Sequence, residues 1–210
     1  MIKNIIWDFD GTLFDSYPDI IKTLQHILRK NHGIFLDDSY IEKLVKVEIS
    51  HCAETVGRKN NIDGDSLFEE FLEFYFIKGR ELPKPFANVE RILEYFNNIG
   101  MNLLVTHRDR ETTYEILGAY NMTDYFKEII IAEDGYEPKP SPQSFNYLID
   151  KYGLNRNKTL GIGDRDLDVM AAINSGIVSC YFNEKKKKHE KAKYNLSSYD
   201  EFERIFFTPV

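Results

Sequence analysis

A chain of 210 residues with 42% hydrophobic and 29% charged residues suits one domain, or one domain carrying a smaller inserted module, and excludes large multidomain arrangements. Its formal net charge of −7 argues against a dedicated nucleic-acid binder, because such proteins gain affinity by setting Lys and Arg against phosphates. The two cysteines, Cys52 and Cys180, lie far apart without metal-ligand spacing, so neither a disulfide framework nor a zinc site is expected.

In chain order, the first apolar run, residues 4–7, reads as a buried strand. The segment before Asp8 is too short for a signal-peptide apolar region, and no apolar run reaches membrane-spanning length, so a cytoplasmic protein without membrane attachment is expected. From residue 17 to residue 81 strand patterning gives way to helical stretches predicted at 19–31, 38–56 and 65–78. The two-proline segment Leu82-Pro83-Lys84-Pro85 resists helix and suits a semi-rigid linker returning the chain to its first unit. Such an inserted helical module has the physical makings of a mobile lid that excludes water from a site.

Beyond the insertion, helices predicted at 89–98, 111–119, 142–152 and 166–174 alternate with strands predicted at 102–105, 128–131, 159–162 and 177–181. Val89, Ile92, Leu93 and Phe96 share one face of the first of these helices. Ser141-Pro142 marks the start of the third and Gly153 its end. Ser198 and Glu201 have capping-box spacing ahead of Phe202, Ile205 and Phe206, which predicts a short C-terminal helix. The alternation implies an α/β unit, residues 1–16 and 82–210, with a parallel sheet covered by helices on both faces, interrupted by an all-helical insertion over 17–81. The basic run from Lys185 to Lys188, with His189 and Lys191, reads as a solvated loop.

Chemistry-bearing residues gather where these strands end. Asp8-Phe9-Asp10-Gly11-Thr12-Leu13 follows the first strand and so sets two carboxylates at the carboxyl edge of the sheet, where open α/β folds hold ligands. Asp8 is placed to attack phosphorus, while Asp10, kept protonated by anionic crowding, donates a proton to the leaving oxygen. Thr106 follows the second core strand, and its hydroxyl with the backbone amide of His107 can hold a phosphoryl oxygen. Lys139, fixed between two prolines, can screen the negative charge that Asp8 and a phosphoryl group share. Gly163-Asp164-Arg165-Asp166-Leu167-Asp168 then supplies oxygen ligands for magnesium at a turn into a helix: Asp164 is the ligand candidate, Asp168 joins the metal shell or orients Lys139, and Asp166 favours the helix N-terminus.

Asp8 and Asp10, Thr106, Lys139, and Asp164 with Asp168 resemble, in this order, the four motifs of the haloacid dehalogenase-like hydrolase superfamily. The resemblance implies a Rossmann-like core with a helical cap, and Mg²⁺ held by Asp8, the Asp10 backbone carbonyl and Asp164. It further implies an aspartyl-phosphate on Asp8 that water hydrolyses with Asp10 as base. Asp15-Ser16-Tyr17-Pro18-Asp19-Ile20 looks like the phosphoglycolate phosphatase branch, which implies a small phosphorylated metabolite as partner, and the protein is expected as a monomer or homodimer.

Related enzymes with the same cap type, beta-phosphoglucomutase-like phosphotransferases and pyrophosphatases among them, are the alternatives; a receiver-like phosphorylated module is the non-enzymatic one. True dehalogenases generally lack the second acid of the first motif, which Asp10 supplies here. Thr106-His107-Arg108-Asp109 departs from the commoner pattern, and Arg108 either adds positive charge near the phosphate or points outward. His51 and Arg58, on an insertion helix, face either substrate or solvent.

Overall fold

The computed structural model describes residues 1–75 and 81–207. The chain divides into two compact units: Met1–Asp15 with Lys84–Val210, and Ser16–Pro83. The first is built on β1 (Asn4–Trp7), β4 (Met101–Val105), β5 (Phe126–Ile130), β6 (Thr159–Gly163), β7 (Val178–Phe182) and β8 (Tyr194–Leu196). These pair in parallel in the order β5-β4-β1-β6-β7-β8. The first strand in sequence is therefore central, and its end is flanked by the ends of β4 and β6, which is the topological switch point of an open α/β sheet.

Parallel strands need crossover helices, and those helices bury both faces of the sheet. Alternation along β1 shows the consequence: Ile5, Ile6 and Trp7 are all fully buried. Ile6 packs with Leu103 of β4 and with Phe145, Leu148, Ala171 and Ala172, from α7 (Gln143–Lys151) and α8 (Asp166–Asn174). Trp7 lies on the opposite face against Phe202 of α9 (Tyr199–Phe206), which also meets Phe96 of α5 (Val89–Ile99). Each side chain of this size removed from water stabilises the fold by roughly 2 kcal/mol. The Trp7 indole N–H donates to Asn102 Oδ1 at 2.9 Å, so its burial leaves no orphaned donor. The sixth helix, α6 (Arg110–Ala119), begins just past β4 and is capped by Asp109, whose carboxylate accepts the Thr112 N–H.

The chain leaves this unit after β2 (Phe14–Asp15) and re-enters at β3 (Lys84–Pro85), which pairs antiparallel with it. Between them lie α1 (Tyr17–His32), α2 (Asp38–Val45), α3 (Ile49–Asn60) and α4 (Gly64–Tyr75), around a core including Leu24, Ile27, Ile41, Ala53, Leu67 and Phe71. Pro18 sits in the first turn of α1, and Gly33, at φ 65°, ends it. The parallel core with a helical cap is thus an α/β Rossmann-like fold.

Several details differ from the sequence reading. The helix expected over 38–56 is two helices, because Glu48 is extended (φ −169°) before α3. The edge strand β8 and the short β2–β3 ladder were not anticipated. The third helix begins at Gln143 with Pro142 as its cap residue, while Ser141 Oγ accepts the Gln143 N–H. Part of the helix expected over 65–78, residues 76–78, lies outside the described residues. Ser198 does cap α9, accepting the Glu201 N–H, while the Glu201 carboxylate reaches back to Ser197 rather than to Ser198.

Candidate active site

Asp8 follows β1 directly, and its N–H donates to Ile162 O of β6 at 2.9 Å, extending the ladder by one residue. The chain then folds sharply: Leu13 and Phe14 both donate to Phe9 O, and Gly11 adopts φ 72°, a conformation open to glycine at no steric cost. Tyr199 of α9 donates its hydroxyl to Thr12 O at 2.7 Å and pins this turn to the core. Thr12 Oγ1 donates in turn to Asp8 Oδ2 at 3.3 Å. The carboxylate at the strand end is thereby buried and oriented from below.

Lys139 arrives from the loop after β5 and is buried as deeply as Asp8. Its ammonium donates to Asp8 Oδ1 at 2.5 Å, lies 2.6 Å from Asp168 Oδ1, and donates to Val105 O at 3.1 Å. Asp168, one turn into α8, accepts the Arg165 backbone N–H on Oδ2 at 3.1 Å. Gly163 makes this approach possible, since a Cβ there would fall 2.2 Å from that of Asp168. Of the two roles foreseen for Asp168, these contacts describe orientation of Lys139, while its carboxylate also lies with those of Asp8 and Asp164.

The electrostatics follow from burial and pairing. Burial, with the Asp168 carboxylate alongside, pushes the Asp8 carboxyl above the usual carboxylate range against the pull of Lys139 and Arg165. Burial also opposes the charge on Asp168, but Lys139 and Arg165 outweigh it and hold that carboxyl below its ordinary value. For Lys139 the same contest, burial against Asp168 and Asp8, ends with the ammonium held above the usual lysine range. One cation between two carboxylates is the arrangement that makes three buried charges tolerable.

Asp8, Asp164 and Asp168 form a buried group whose nearest carboxylate oxygens all lie within 4.8 Å of one another. An all-oxygen, anionic donor set suits a hard divalent cation such as magnesium. Three carboxylates face the ammonium of Lys139 and the guanidinium of Arg165, which lies 3.8 Å from Asp8 Oδ1. Three buried carboxylates converging this closely are a set that a cation would bind. The residues present therefore fit a metal ion.

At the end of β4, Thr106 is buried and its hydroxyl oxygen accepts the Arg108 N–H at 3.0 Å, leaving the hydroxyl proton to donate. His107 does more than lend an amide: its Nε2 accepts the Lys139 N–H at 2.9 Å. Asp10 departs from the sequence reading. Its carboxylate is half-buried and receives a two-pronged ion pair from Arg108, Nη2 to Oδ1 at 2.6 Å and Nε to Oδ2 at 3.2 Å. The anionic crowding expected around Asp10 is replaced by a guanidinium that matches an ionised carboxylate, because Arg108 is folded inward and buried.

The site thus collects Asp8, Lys139, Asp164 and Asp168 in one buried cluster, with Asp10 turned towards Arg108 beside it. Arg165 escaped the sequence reading; only its place inside the acidic turn could have flagged it. Asp166 is exposed and meets His189 at 2.8 Å. His51 and Arg58 both lie on α3 of the helical unit, where His51 Nε2 sits 3.5 Å from Thr55 Oγ1.

The chain is similar to known proteins over most of its length. A phosphoglycolate phosphatase of Aliivibrio fischeri is 29% identical over 192 residues, covering 83% of this chain and 81% of that protein. One of Aquifex aeolicus is 29% identical over 180 residues, covering 83% and 82%. Among solved structures, a predicted phosphoglycolate phosphatase from Haemophilus somnus superposes with a TM-score of 0.82 at 20% identity, covering 97% of each chain. A hydrolase from Streptococcus pneumoniae covers 99% of each chain at 26% identity and a TM-score of 0.67. The family described as haloacid dehalogenase-like hydrolase matches residues 5–182, from the first residues of β1 to the end of β7, and with its motifs converging on one sheet edge the chain belongs to that family of enzymes.

Proposed function

We propose that this hydrolase is a Mg²⁺-dependent phosphatase that cleaves a small phosphate monoester through an aspartyl-phosphate on Asp8. The observation that carries the reading is the Lys139 ammonium set between Asp8 and Asp168 at the end of the central strand. A buried carboxylate held on one oxygen by a lysine and on the other by Thr12 has its charge screened and its direction fixed, as attack on an anionic ester demands.

In the first step an Asp8 oxygen forms a bond to phosphorus while the bond to the leaving oxygen breaks. The leaving oxygen keeps that electron pair and takes a proton from Asp10, which enters this step as the carboxylic acid and leaves it as the carboxylate that the Arg108 fork matches. In the second step water attacks the phosphorus and gives a proton to Asp10, the Asp8–phosphorus bond breaks, and inorganic phosphate departs with Asp8 restored. Thr106, with its free hydroxyl proton, and the His107 backbone hold phosphoryl oxygens, and Lys139 offsets the charge growing on them. Asp8, Asp164 and the Asp10 backbone carbonyl would hold the metal, with Asp168 supporting through Lys139. When bound, Mg²⁺ supplies the positive charge that lets an anionic nucleophile approach an anionic ester.

The similarity to proteins named phosphoglycolate phosphatase makes 2-phosphoglycolate the first candidate substrate, and a small phosphorylated acid the class. Phosphate release from a panel of 2-phosphoglycolate, nucleotides and sugar phosphates, with Mg²⁺ and with chelator, tests both parts. Magnesium-dependent release from 2-phosphoglycolate is the expected result. Release from no monoester, or equal release in chelator, overturns the reading.

A further inference from the structure

We propose that Arg108 is a positioning residue that aims the Asp10 carboxylate for the hydrolysis of the phosphoryl-enzyme. The inference deepens the function proposed above and rests on it. Its basis is a continuous, partly buried chain of hydrogen bonds running from a helix cap to the site. Asp109, the N-cap of α6, accepts the Thr112 N–H at 2.9 Å and the Thr112 hydroxyl at 2.5 Å. Thr112 Oγ1, its proton committed to Asp109, accepts from Arg108 Nη1 at 3.1 Å. Arg108 Nη2 and Nε then grip both oxygens of Asp10.

Each link removes a freedom from the next. The cap fixes the Thr112 rotamer and which way its hydroxyl donates. That hydroxyl fixes the guanidinium at one corner. The Phe9 ring, 5.2 Å from the guanidinium carbon, supports its face. The Arg108 N–H, held by Thr106 Oγ1, and its carbonyl, which accepts from Ala132 N, anchor the backbone. A planar fork matched to a carboxylate sets both the distance and the plane of Asp10, which a lysine, as a point charge, cannot do. Arg108 itself is buried with its prongs on Asp10 and Thr112, so it acts through Asp10 rather than on the substrate.

Asp10 must stand where it can reach the attacking water to take its proton, and the Arg108 fork is what sets that reach. Loss of Arg108 should therefore weigh on the second step. p-Nitrophenyl phosphate separates the two, because nitrophenolate leaves without needing a proton, so that the first step proceeds without Asp10 as acid. Rapid mixing of the magnesium-loaded enzyme with this ester is the test. For Arg108→Met the expected result is a nitrophenolate burst approaching one equivalent per site, with its rate constant within about twofold of wild type. The steady-state rate behind it falls roughly 10- to 100-fold, the penalty of a mispositioned group. Thr112→Val, which removes one link and keeps the shape, should show the same pattern more weakly, and Arg108→Lys should not restore the steady-state rate.

Burst and steady-state rates falling by one common factor in both Arg108→Met and Thr112→Val would overturn the proposal, as would rescue by Arg108→Lys or unchanged kinetics. A wild-type enzyme that neither forms nor turns over a phosphoryl-enzyme would instead sink the proposed function itself.

Discussion

His107 Nε2 accepts the backbone N–H of Lys139 at 2.9 Å, so the ring just past β4 secures the loop that delivers the buried lysine. An accepting Nε2 must carry no proton. Partial withdrawal from water, with Lys139 and Arg165 nearby, pushes the His107 pKa down to about 4 from an ordinary 6.5. The unfolded chain therefore binds the extra proton first as pH falls, so the stability this contact contributes is complete above about 6.5 and drains away down to about 4. Because His107 is exposed, the loss is set at about 1 kcal/mol rather than the full value of the shift. Urea unfolding of wild type and His107→Gln at pH 7 and pH 4.5 checks it: the variant keeps an acceptor that does not titrate and should lose less on acidification.

Lys139→Met leaves Asp8 and Asp168 facing each other in the interior without their shared counter-ion. Removing one partner of a buried charge cluster costs about 3–5 kcal/mol, and turnover should fall to background. Neutralising a carboxylate as well relieves the repulsion, so Lys139→Met with Asp168→Asn should recover roughly 1–3 kcal/mol, the size of coupling seen between contacting groups. Urea midpoints in chelator for the single and double variants measure the recovery. Activity should not return with it, since the cation beside Asp8 is still missing.

What was legible in the sequence follows from what is local. Buried parallel strands leave continuous apolar runs, so the core strands ending at Trp7, Val105 and Gly163 could be read directly, and each acidic or hydroxyl residue beyond them fell at the same sheet edge. β8 was missed because it is three residues long, at the sheet edge, behind a lysine-rich loop. The break between α2 and α3 was missed because Lys46-Val47-Glu48 contains neither proline nor glycine. The largest error concerned Asp10: its environment is set by Arg108, 98 positions away, and no local pattern reports which of two strand-end loops turns inward. Arg165 was overlooked for a related reason, because a charge within an acidic turn shows its partners only once β1 and β6 are side by side.

Asp8→Asn should abolish phosphate release and yet leave the protein at least as stable as wild type. Burial and the Asp168 carboxylate raise the Asp8 pKa in the folded chain, so at neutral pH ionised Asp8 is a cost that folding bears for function. For a carboxyl shifted upward the sign is that stability is gained as pH falls, and an amide captures that gain at all pH values. The expected increase is on the order of 1 kcal/mol in chelator. A calorimetric comparison of the two proteins at pH 7.5 decides it, and a marked loss of stability would mean that the Lys139 contact outweighs the burial of the charge.

Magnesium should stabilise the folded chain by mass action, because the carboxylates of Asp8, Asp164 and Asp168 converge only when β1 and β6 are in register. At one hundred times its dissociation constant a ligand that binds only the native state adds about 2.7 kcal/mol. Thermal unfolding in saturating Mg²⁺ should therefore begin well above unfolding in chelator. Asp164→Ala should erase most of that difference, because it removes one of the three converging carboxylates. An Asp164→Ala protein that still gains the full magnesium increment would place the ion elsewhere and remove Asp164 from the ligand set.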